Sequence, residues 1–300
     1  MLHGEDRPPG LQADHLRFAT EDTLADALPG SEVLLVWDFT SDAVRDAWPA
    51  ADSLRWVHTA SAGVDRLVFP GLLDSPVTLT NSRGVFDAPM AEYVLGLVLA
   101  MAKDLPGTLA AQGRREWRHR ETEPVAGRCA VVVGGGPIGK AIARLLEAVG
   151  MQVELIGRRE FPALPDALPR ADWLVLAAPL TDTTRGMFDA AALARLRPSA
   201  RVINVGRGAL VVEPDLVDAL REGRIAGAAL DVFAREPLPV DSPLWELPGV
   251  IVSPHMSGDL VGWRDALVEV FTDNLIRYRA GEPLRNVVDK SLGYVTGGTS

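Results

Sequence analysis

The sequence predicts an α/β protein in two domains, each built on a parallel β-sheet. Strand-like apolar runs alternate with helix-like segments along the chain, and one polar stretch, residues 104–123 with Pro106 and Gly107, interrupts the alternation. Such alternation is typical of βαβ units, which form parallel sheets. The 300 residues, of which 47% are hydrophobic, suffice for two domains of ordinary size.

The first series of elements precedes the polar stretch. Its predicted strands lie at 33–36, 54–57 and 77–80, with a helix at 42–48. A longer apolar helix is expected to begin near Asp87, with Pro89 in its first turn, and to end at about Lys103. We expect these elements to form a small, flavodoxin-like substrate domain, completed by a C-terminal segment: residues 1–103 plus 280–300.

The second series begins after Gly127. Its predicted strands lie at 129–133, 153–156, 173–177, 201–205, 228–232 and 250–252, and its helices at 138–149, 190–196, 215–222 and 263–279. Six parallel strands with a glycine turn after the first are typical of a doubly wound, Rossmann-like nucleotide domain. We therefore expect a dinucleotide-binding domain over residues 104–279.

Charge and composition exclude several classes of partner. The formal net charge of −10 argues against a nucleic-acid or membrane-surface partner, because both favour basic patches. No export signal is evident, and the longest apolar stretch, residues 93–102, is too short to span a bilayer. A cytoplasmic location is expected. The single cysteine, Cys129, is expected to be a small core residue.

A glycine motif follows the first strand of the second series and opens a helix. In that context the spacing of Gly134, Gly136 and Gly139 predicts a dinucleotide cradle that also includes Pro137 and Ile138. The first glycine would make the turn, the second would let the backbone approach a pyrophosphate, and the third would let the helix pack close to the strand. The alternative is a glycine turn that binds no ligand.

Three polar residues follow later strands of the same series: Arg207, Glu236 and His255. Ligands of open α/β sheets bind beyond the carboxyl ends of the strands. A guanidinium can hold a carboxylate and polarise a carbonyl, and a histidine held by a carboxylate can supply a proton. Together they provide what reduction of a 2-keto acid requires, although each residue alone could be structural.

With these residues in place, the chain resembles the D-2-hydroxyacid dehydrogenase family, over about residues 30–290. The motifs that carry the resemblance are the 134–139 fingerprint, Asn204-Val205-Gly206-Arg207-Gly208, Leu230-Asp231-Val232-Phe233 with Glu236-Pro237-Leu238, Ser253-Pro254-His255-Met256-Ser257-Gly258, Ser61-Ala62-Gly63-Val64-Asp65 and 81–92. The resemblance implies a catalytic trio of Arg207, Glu236 and His255, and contact between Asp231 and the nicotinamide carboxamide. It also implies a homodimer formed through the nucleotide domain; residues 104–123, with Trp117, are a candidate for the contact.

The resemblance also implies that backbone amides at Ser61, Ala62 and Gly63 hold the substrate carboxylate, together with Arg207. The residues agree, because small side chains after a strand expose amides to an anion. A plain tight turn remains the alternative. Candidate walls of the substrate pocket are Trp37, Asp38, Phe39, Arg83, Met256 and Trp263.

The tip of the second strand bears on the choice of cofactor. An NAD site normally places an acid there to bind the ribose hydroxyls. Glu154 falls inside the predicted strand, and the tip is Gly157, followed by Arg158 and Arg159. Glycine and two arginines offer room and charge to a 2′-phosphate. We therefore expect NADP as cofactor, with Arg158 the main phosphate contact; NAD remains possible.

The expected function is NADPH-dependent reduction of a small 2-keto acid to the D-2-hydroxy acid. Glyoxylate, hydroxypyruvate, pyruvate and longer 2-keto acids are all open as substrates. The first two lead, because family members that prefer NADPH are often reductases of these acids. The alternative is a dinucleotide-sensing, corepressor-like interaction protein of the same superfamily. No metal is expected at the site.

Overall fold

The structure, a computed structural model, describes residues 2–4, 8, 10–11 and 15–296. It divides into two compact units: unit 1 comprises Met1–Val85 and Leu260–Ser300, and unit 2 comprises Phe86–Asp259. In chain order the strands are β1 (Leu2–His3), β2 (Phe18–Ala19), β3 (Val33–Val36), β4 (Trp56–Thr59), β5 (Thr78–Asn81), β6 (Cys129–Val133), β7 (Gln152–Ile156), β8 (Trp173–Leu176), β9 (Arg201–Asn204), β10 (Gly227–Leu230) and β11 (Val250–Val252). The α-helices are α1 (Leu24–Ala27), α2 (Ala43–Asp46), α3 (Pro70–Leu73), α4 (Asp87–Ala102), α5 (Leu105–Gly113), α6 (Pro137–Ala148), α7 (Leu164–Ala167), α8 (Ala190–Leu193), α9 (Glu213–Arg221) and α10 (Trp263–Ala280).

Unit 1 is built on a five-stranded parallel sheet in the order β2-β1-β3-β4-β5. This is the strand order of a flavodoxin-like domain, the kind of domain expected for the first series of elements. Strand β3 has the predicted bounds, and β4 and β5 begin two residues and one residue later than predicted; β1 and β2 were not predicted. Apolar side chains cover both faces of the sheet, as its alternation with helices requires: Leu34 and Val57 belong to one core cluster, and Leu35 and Trp56 to another.

Unit 2 is built on a six-stranded parallel sheet in the order β11-β10-β9-β8-β6-β7. All six predicted strands are present. The strand order reverses at β6, which has β7 on one side and β8 on the other. Open α/β sheets bind ligands at such a switch point, beyond the carboxyl ends of the strands. The glycine motif directly follows β6 and therefore lies at this point of the sheet.

The chain divides into its two units after Val85 and after Asp259, whereas the expected boundaries were after residues 103 and 279. Helix α4 belongs to unit 2, where Val94 and Val98 share a core cluster with Ile142 of α6. Helix α10 belongs to unit 1, where Phe271 stacks on Trp56 with ring centroids 5.3 Å apart. An apolar helix pattern predicts a helix but not the sheet that the helix covers. Of the expected segment 280–300, residues 297–300 lie outside the described residues.

Among the described residues, no single helix is both long and apolar enough to cross a membrane. Helices α4 and α5 reach the length and apolar composition of a membrane span only when they are taken together, and the chain bends by 63° between them. Helix α4 buries Ala91, Val94, Leu97, Val98 and Ala102 within unit 2.

A buried histidine links the strands of unit 1. The side chain of His58 on β4 is fully buried, with Nδ1 2.7 Å from Thr80 Oγ1 and Nε2 3.3 Å from Ser82 Oγ. Thr80 Oγ1 accepts the indole N–H of Trp56, so its own hydroxyl hydrogen can be donated to Nδ1. The hydroxyl of Ser82 donates to the Thr59 carbonyl at 3.1 Å. These contacts fit a neutral imidazole that carries its proton on Nε2.

We predict that His58 makes the stability of the protein depend on pH. Burial lowers the pKa of its imidazole from an ordinary value near 6.5 to about 3, so between these values only the unfolded chain binds the proton. Stability therefore falls as the pH drops below 6.5, and this residue contributes about 1.4 kcal/mol of loss between about pH 7.5 and about pH 5.5. Urea unfolding followed by tryptophan fluorescence at the two pH values measures the effect.

His58→Asn should be less stable than the wild type at neutral pH and should lack this part of the pH dependence. His119→Asn, which replaces an exposed histidine, is the matched control and should keep it. An equal loss of stability in the wild type and in His58→Asn would contradict the prediction.

Candidate active site

The glycine motif makes a tight turn between β6 and α6. Gly134 has a φ of +128°, and a side chain there would place its Cβ 2.5 Å from the Ala177 carbonyl oxygen. A Cβ on Gly139 would collide with the carbonyl oxygen of Gly134. Both positions therefore require glycine. A Cβ on Gly136 would meet nothing within 4 Å, so the backbone there faces open space in which a ligand has room.

Helix α6 directs its first amides towards this space. Pro137 is its first residue and Gly136 its N-cap, and no side chain caps the helix. The amides of Ile138 and Gly139 lie in the first turn, where N–H groups have no acceptor within the helix. Such a helix start is a ready anion site. The residues present thus fit the pyrophosphate of a dinucleotide.

The tip of β7 carries two exposed arginines. The strand ends at Ile156, and Gly157, Arg158 and Arg159 follow it directly. Glu154, the acid that competes for the ribose in sequence, stands in the middle of the strand and forms an ion pair with Arg170 at 2.6 Å. The strand tip therefore has the glycine and the two cations that the sequence predicts.

A histidine and a glutamate meet beyond the ends of β10 and β11. His255 Nδ1 lies 2.8 Å from Glu236 Oε2, and Glu236 Oε1 accepts the Phe233 amide at 2.9 Å. Partial burial raises the pKa of the Glu236 carboxyl, but the hydrogen bonds from His255 and Phe233 and the positive charge of Arg207 outweigh it, so the pKa lies below its usual range. Glu236 is therefore ionised at neutral pH and accepts the Nδ1 proton, which leaves Nε2 as the ring nitrogen available to a substrate.

The loop after β11 is held by one buried carboxylate. Asp231 Oδ1 accepts the Ser253 hydroxyl at 2.7 Å and the Met256 amide at 3.0 Å, and Oδ2 accepts the Ser257 amide at 2.9 Å. Its backbone carbonyl accepts the His255 amide at 2.8 Å. These bonds support the left-handed backbone of His255, whose φ is +52°. The carboxylate of Asp231 thus positions the histidine loop, and the implied contact with a nicotinamide carboxamide stays a prediction.

Arg207 follows β9 and is half-buried. The buried side chain of Asn204 shapes its turn: Nδ2 donates to the Arg207 carbonyl at 3.0 Å, and Oδ1 accepts the Gly206 amide at 3.1 Å. One guanidinium nitrogen donates to the Gly206 carbonyl at 2.9 Å. Unit 2 thus brings Arg207, Glu236 and His255 to the carboxyl edge of one sheet.

The loop Ser61-Ala62-Gly63 lies in unit 1, after β4. Its carbonyl oxygens accept hydrogen bonds from the Ser82 amide, from Asn81 Nδ2 at 2.6 Å and from the Ser61 hydroxyl at 2.6 Å, respectively. In the part of the chain that the structure describes, the amides of these three residues donate no hydrogen bond. The loop therefore has amides that can donate to an anion, and its role in binding the substrate stays a prediction.

A cavity of about 240 Å³ lies in unit 1. It is lined by Trp37, Asp38, Phe39, Thr40, Trp263, Arg264 and Leu267. Four of the predicted pocket walls, Trp37, Asp38, Phe39 and Trp263, therefore come together. Arg83 is not among the lining residues, and its guanidinium donates to the Val295 carbonyl. Met256 lies in unit 2.

Sequence reasoning missed the positioning roles of Asn204, Ser253 and Ser257. All three are buried polar residues of the motifs quoted above, next to the arginine or the histidine. Serine and asparagine are mostly exposed in proteins, so their burial could not be expected from residue type. The available signal was their position after a strand, beside a candidate catalytic residue.

Comparison with protein families assigns most of unit 2. Residues 95–257 match the model of the "D-isomer specific 2-hydroxyacid dehydrogenase, NAD binding domain". A glyoxylate/hydroxypyruvate reductase B from Pectobacterium carotovorum is 33% identical to the chain, over 93% of this chain and 89% of that protein. The chain also matches D-3-phosphoglycerate dehydrogenases, such as that of Methanocaldococcus jannaschii. It spans only 54% of the length of that protein.

Solved structures agree over nearly the whole chain. A D-isomer specific 2-hydroxyacid dehydrogenase from Xanthobacter autotrophicus Py2, in complex with NADPH and MES, has a TM-score of 0.82 and 33% identity, covering 98% of this chain and 100% of that one. An NADPH-dependent glyoxylate/hydroxypyruvate reductase from Sinorhizobium meliloti, in complex with NADP and sulfate, has a TM-score of 0.81 and 30% identity, covering 94% and 93%.

We predict that Asp231→Asn destabilises the protein by about 1–3 kcal/mol, because an amide nitrogen replaces one of two buried acceptor oxygens and leaves a donor facing another donor. Urea unfolding at neutral pH measures the change. Asp218→Asn, at an exposed position on α9, is the matched control and should change stability by less than about 0.5 kcal/mol. Equal stabilities of the two variants would refute a structural role for the Asp231 carboxylate.

Proposed function

Because the chain belongs to the D-isomer specific 2-hydroxyacid dehydrogenase family, we propose that it reduces a small 2-keto acid to the D-2-hydroxy acid with NADPH. Family membership confirms the prediction of an NAD(P)-dependent oxidoreductase. The observation that carries the proposed chemistry is the hydrogen bond between His255 Nδ1 and the ionised Glu236, at the sheet edge that also holds Arg207.

The proposed reaction adds a hydride to the carbonyl carbon and a proton to the carbonyl oxygen, while NADPH is oxidised to NADP⁺. The cofactor supplies the hydride when bound. His255 donates the proton from Nε2, because Nδ1 is engaged by Glu236. Glu236 fixes the ring orientation and stabilises the charged imidazolium. Arg207 holds the substrate carboxylate and polarises the carbonyl, which a planar guanidinium can do at once.

Two features of unit 1 support a small 2-keto acid as substrate. The amides at Ser61, Ala62 and Gly63 can bind a carboxylate, since within the described part of the chain they donate no hydrogen bond. The cavity beside Trp37, with its mixture of aromatic and charged walls, can take a short side chain. We place glyoxylate and hydroxypyruvate first, because relatives at 30% and 33% identity carry those names.

We further propose a homodimer that uses the segment after α4. Apolar side chains are exposed there: Trp117 is 100% exposed and Leu109 on α5 is 66% exposed. A contact that covers them would remove apolar surface from water. Arg120 holds this segment to α5 through Asp104 and Thr108, which gives it a defined shape.

We predict that His255→Ala and Arg207→Ala each reduce kcat/KM by roughly 10²–10⁴-fold while NADPH still binds, because each removes a group that acts on the reacting carbonyl. Oxidation of NADPH by a panel of glyoxylate, hydroxypyruvate, pyruvate and longer 2-keto acids measures turnover. Arg221→Ala on α9, exposed, is the control and should retain activity. Retained turnover in both site variants would refute the mechanism, and no turnover by the wild type on any acid would favour the dinucleotide-sensing alternative.

We predict that the wild type has a higher kcat/KM with NADPH than with NADH. Arg158→Gln should raise the Kd for NADPH by roughly tenfold or more and leave the Kd for NADH nearly unchanged, because only NADPH has the 2′-phosphate that the guanidinium would bind. Fluorescence titration gives both constants, with Arg221→Gln as the control. A clear preference of the wild type for NADH would overturn the assignment.

A further inference from the structure

A carboxylate from the following turn lies on the tip of β7. The Glu160 amide donates to the Gly157 carbonyl at 3.0 Å, which turns the chain back towards the strand. Glu160 Oε2 stands 2.7 Å from the position that a Cβ on Gly157 would take. The same Gly157 lies against the glycine motif, since its Cα is 3.0 Å from the position of a Cβ on Gly135. Glu160 thus brings a negative charge to a strand tip that has no acid of its own.

This position matters for cofactor choice. In doubly wound nucleotide domains, the tip of the second strand and the glycine motif flank the adenosine ribose, and an acid at that tip binds the ribose hydroxyls of NAD. The same charge repels the 2′-phosphate of NADP. Residues 158–160 therefore combine two cations that favour NADPH with one carboxylate that favours NADH.

We propose that Glu160 is a cofactor-selecting residue that accepts the ribose hydroxyls of NADH and opposes the 2′-phosphate of NADPH. The inference rests on the proposed function, because it requires that unit 2 bind a nicotinamide dinucleotide. An acid at a strand tip is fixed by the sheet, whereas Glu160 is exposed and reaches Gly157 only through its own side chain. Rotation of that side chain makes room for the phosphate, so the preference for NADPH is graded and the protein uses both cofactors.

The test measures the Kd of NADPH and of NADH for the full-length protein by quenching of tryptophan fluorescence, without substrate. In Glu160→Gln the ratio of the NADH Kd to the NADPH Kd should rise roughly three- to tenfold, because NADPH binds more tightly and NADH more weakly. Glu160→Ala should behave alike. The NADPH gain should shrink at about 0.5 M salt, since screening weakens charge repulsion. Glu147→Gln, at the opposite end of α6, is the matched control.

A ratio in Glu160→Gln and Glu160→Ala within twofold of the wild-type ratio would overturn the inference, and so would an equal change in both constants. If the wild type bound NADPH and either result were found, the proposed function would stand and only the role of Glu160 would fail. A wild type that bound neither dinucleotide would overturn the proposed function, and the role of Glu160 with it.

Discussion

The site in unit 2 depends on the buried carboxylate of Asp231. It stands at the end of β10 and accepts the Ser253 hydroxyl and two amides of the loop after β11. That loop carries His255 with a positive φ, a conformation that non-glycine residues hold only when their surroundings enforce it. Because Glu236 also follows β10, the histidine and its partner carboxylate are both positioned by residues beyond the end of one strand.

Parallel topology explains why residues far apart in sequence lie at the same edge of the sheet. Every strand of the sheet in unit 2 runs in the same direction, so the residues that follow β6, β9, β10 and β11 emerge at one edge. The glycine motif comes first along the chain and His255 last. The buried side chain of Asn204 then shapes the turn after β9, because it donates to the Arg207 carbonyl and accepts the Gly206 amide. The candidate functional residues thus lie in the loops that follow the strands, while the apolar strands hold these loops in fixed positions.

Much of this arrangement could be predicted from sequence, because glycine spacing and apolar runs are local signals. The six strands of unit 2 and the candidate trio follow from them. The two-residue strands β1 and β2 could not be predicted, since two residues are too few to show the alternation of a β-strand. The sheet against which α4 and α10 pack could not be predicted either, because it depends on contacts between distant residues, such as the stacking of Phe271 on Trp56. The position of the Glu160 carboxylate at the tip of β7 could not be predicted, because only the folded turn after the strand brings it there.

The stacking of Phe271 on Trp56 bears on how the chain folds during synthesis. Unit 2 is one continuous segment, whereas unit 1 needs both chain ends: β5 also accepts the segment after α10, with the Val288 amide donating to the Leu79 carbonyl. During synthesis, the part of unit 1 that precedes unit 2 emerges with Trp56 and Leu35 still lacking helix α10, which covers them. Unit 2 can fold as soon as its own residues have emerged, whereas Trp56 and Leu35 lack part of their core cluster until α10 follows.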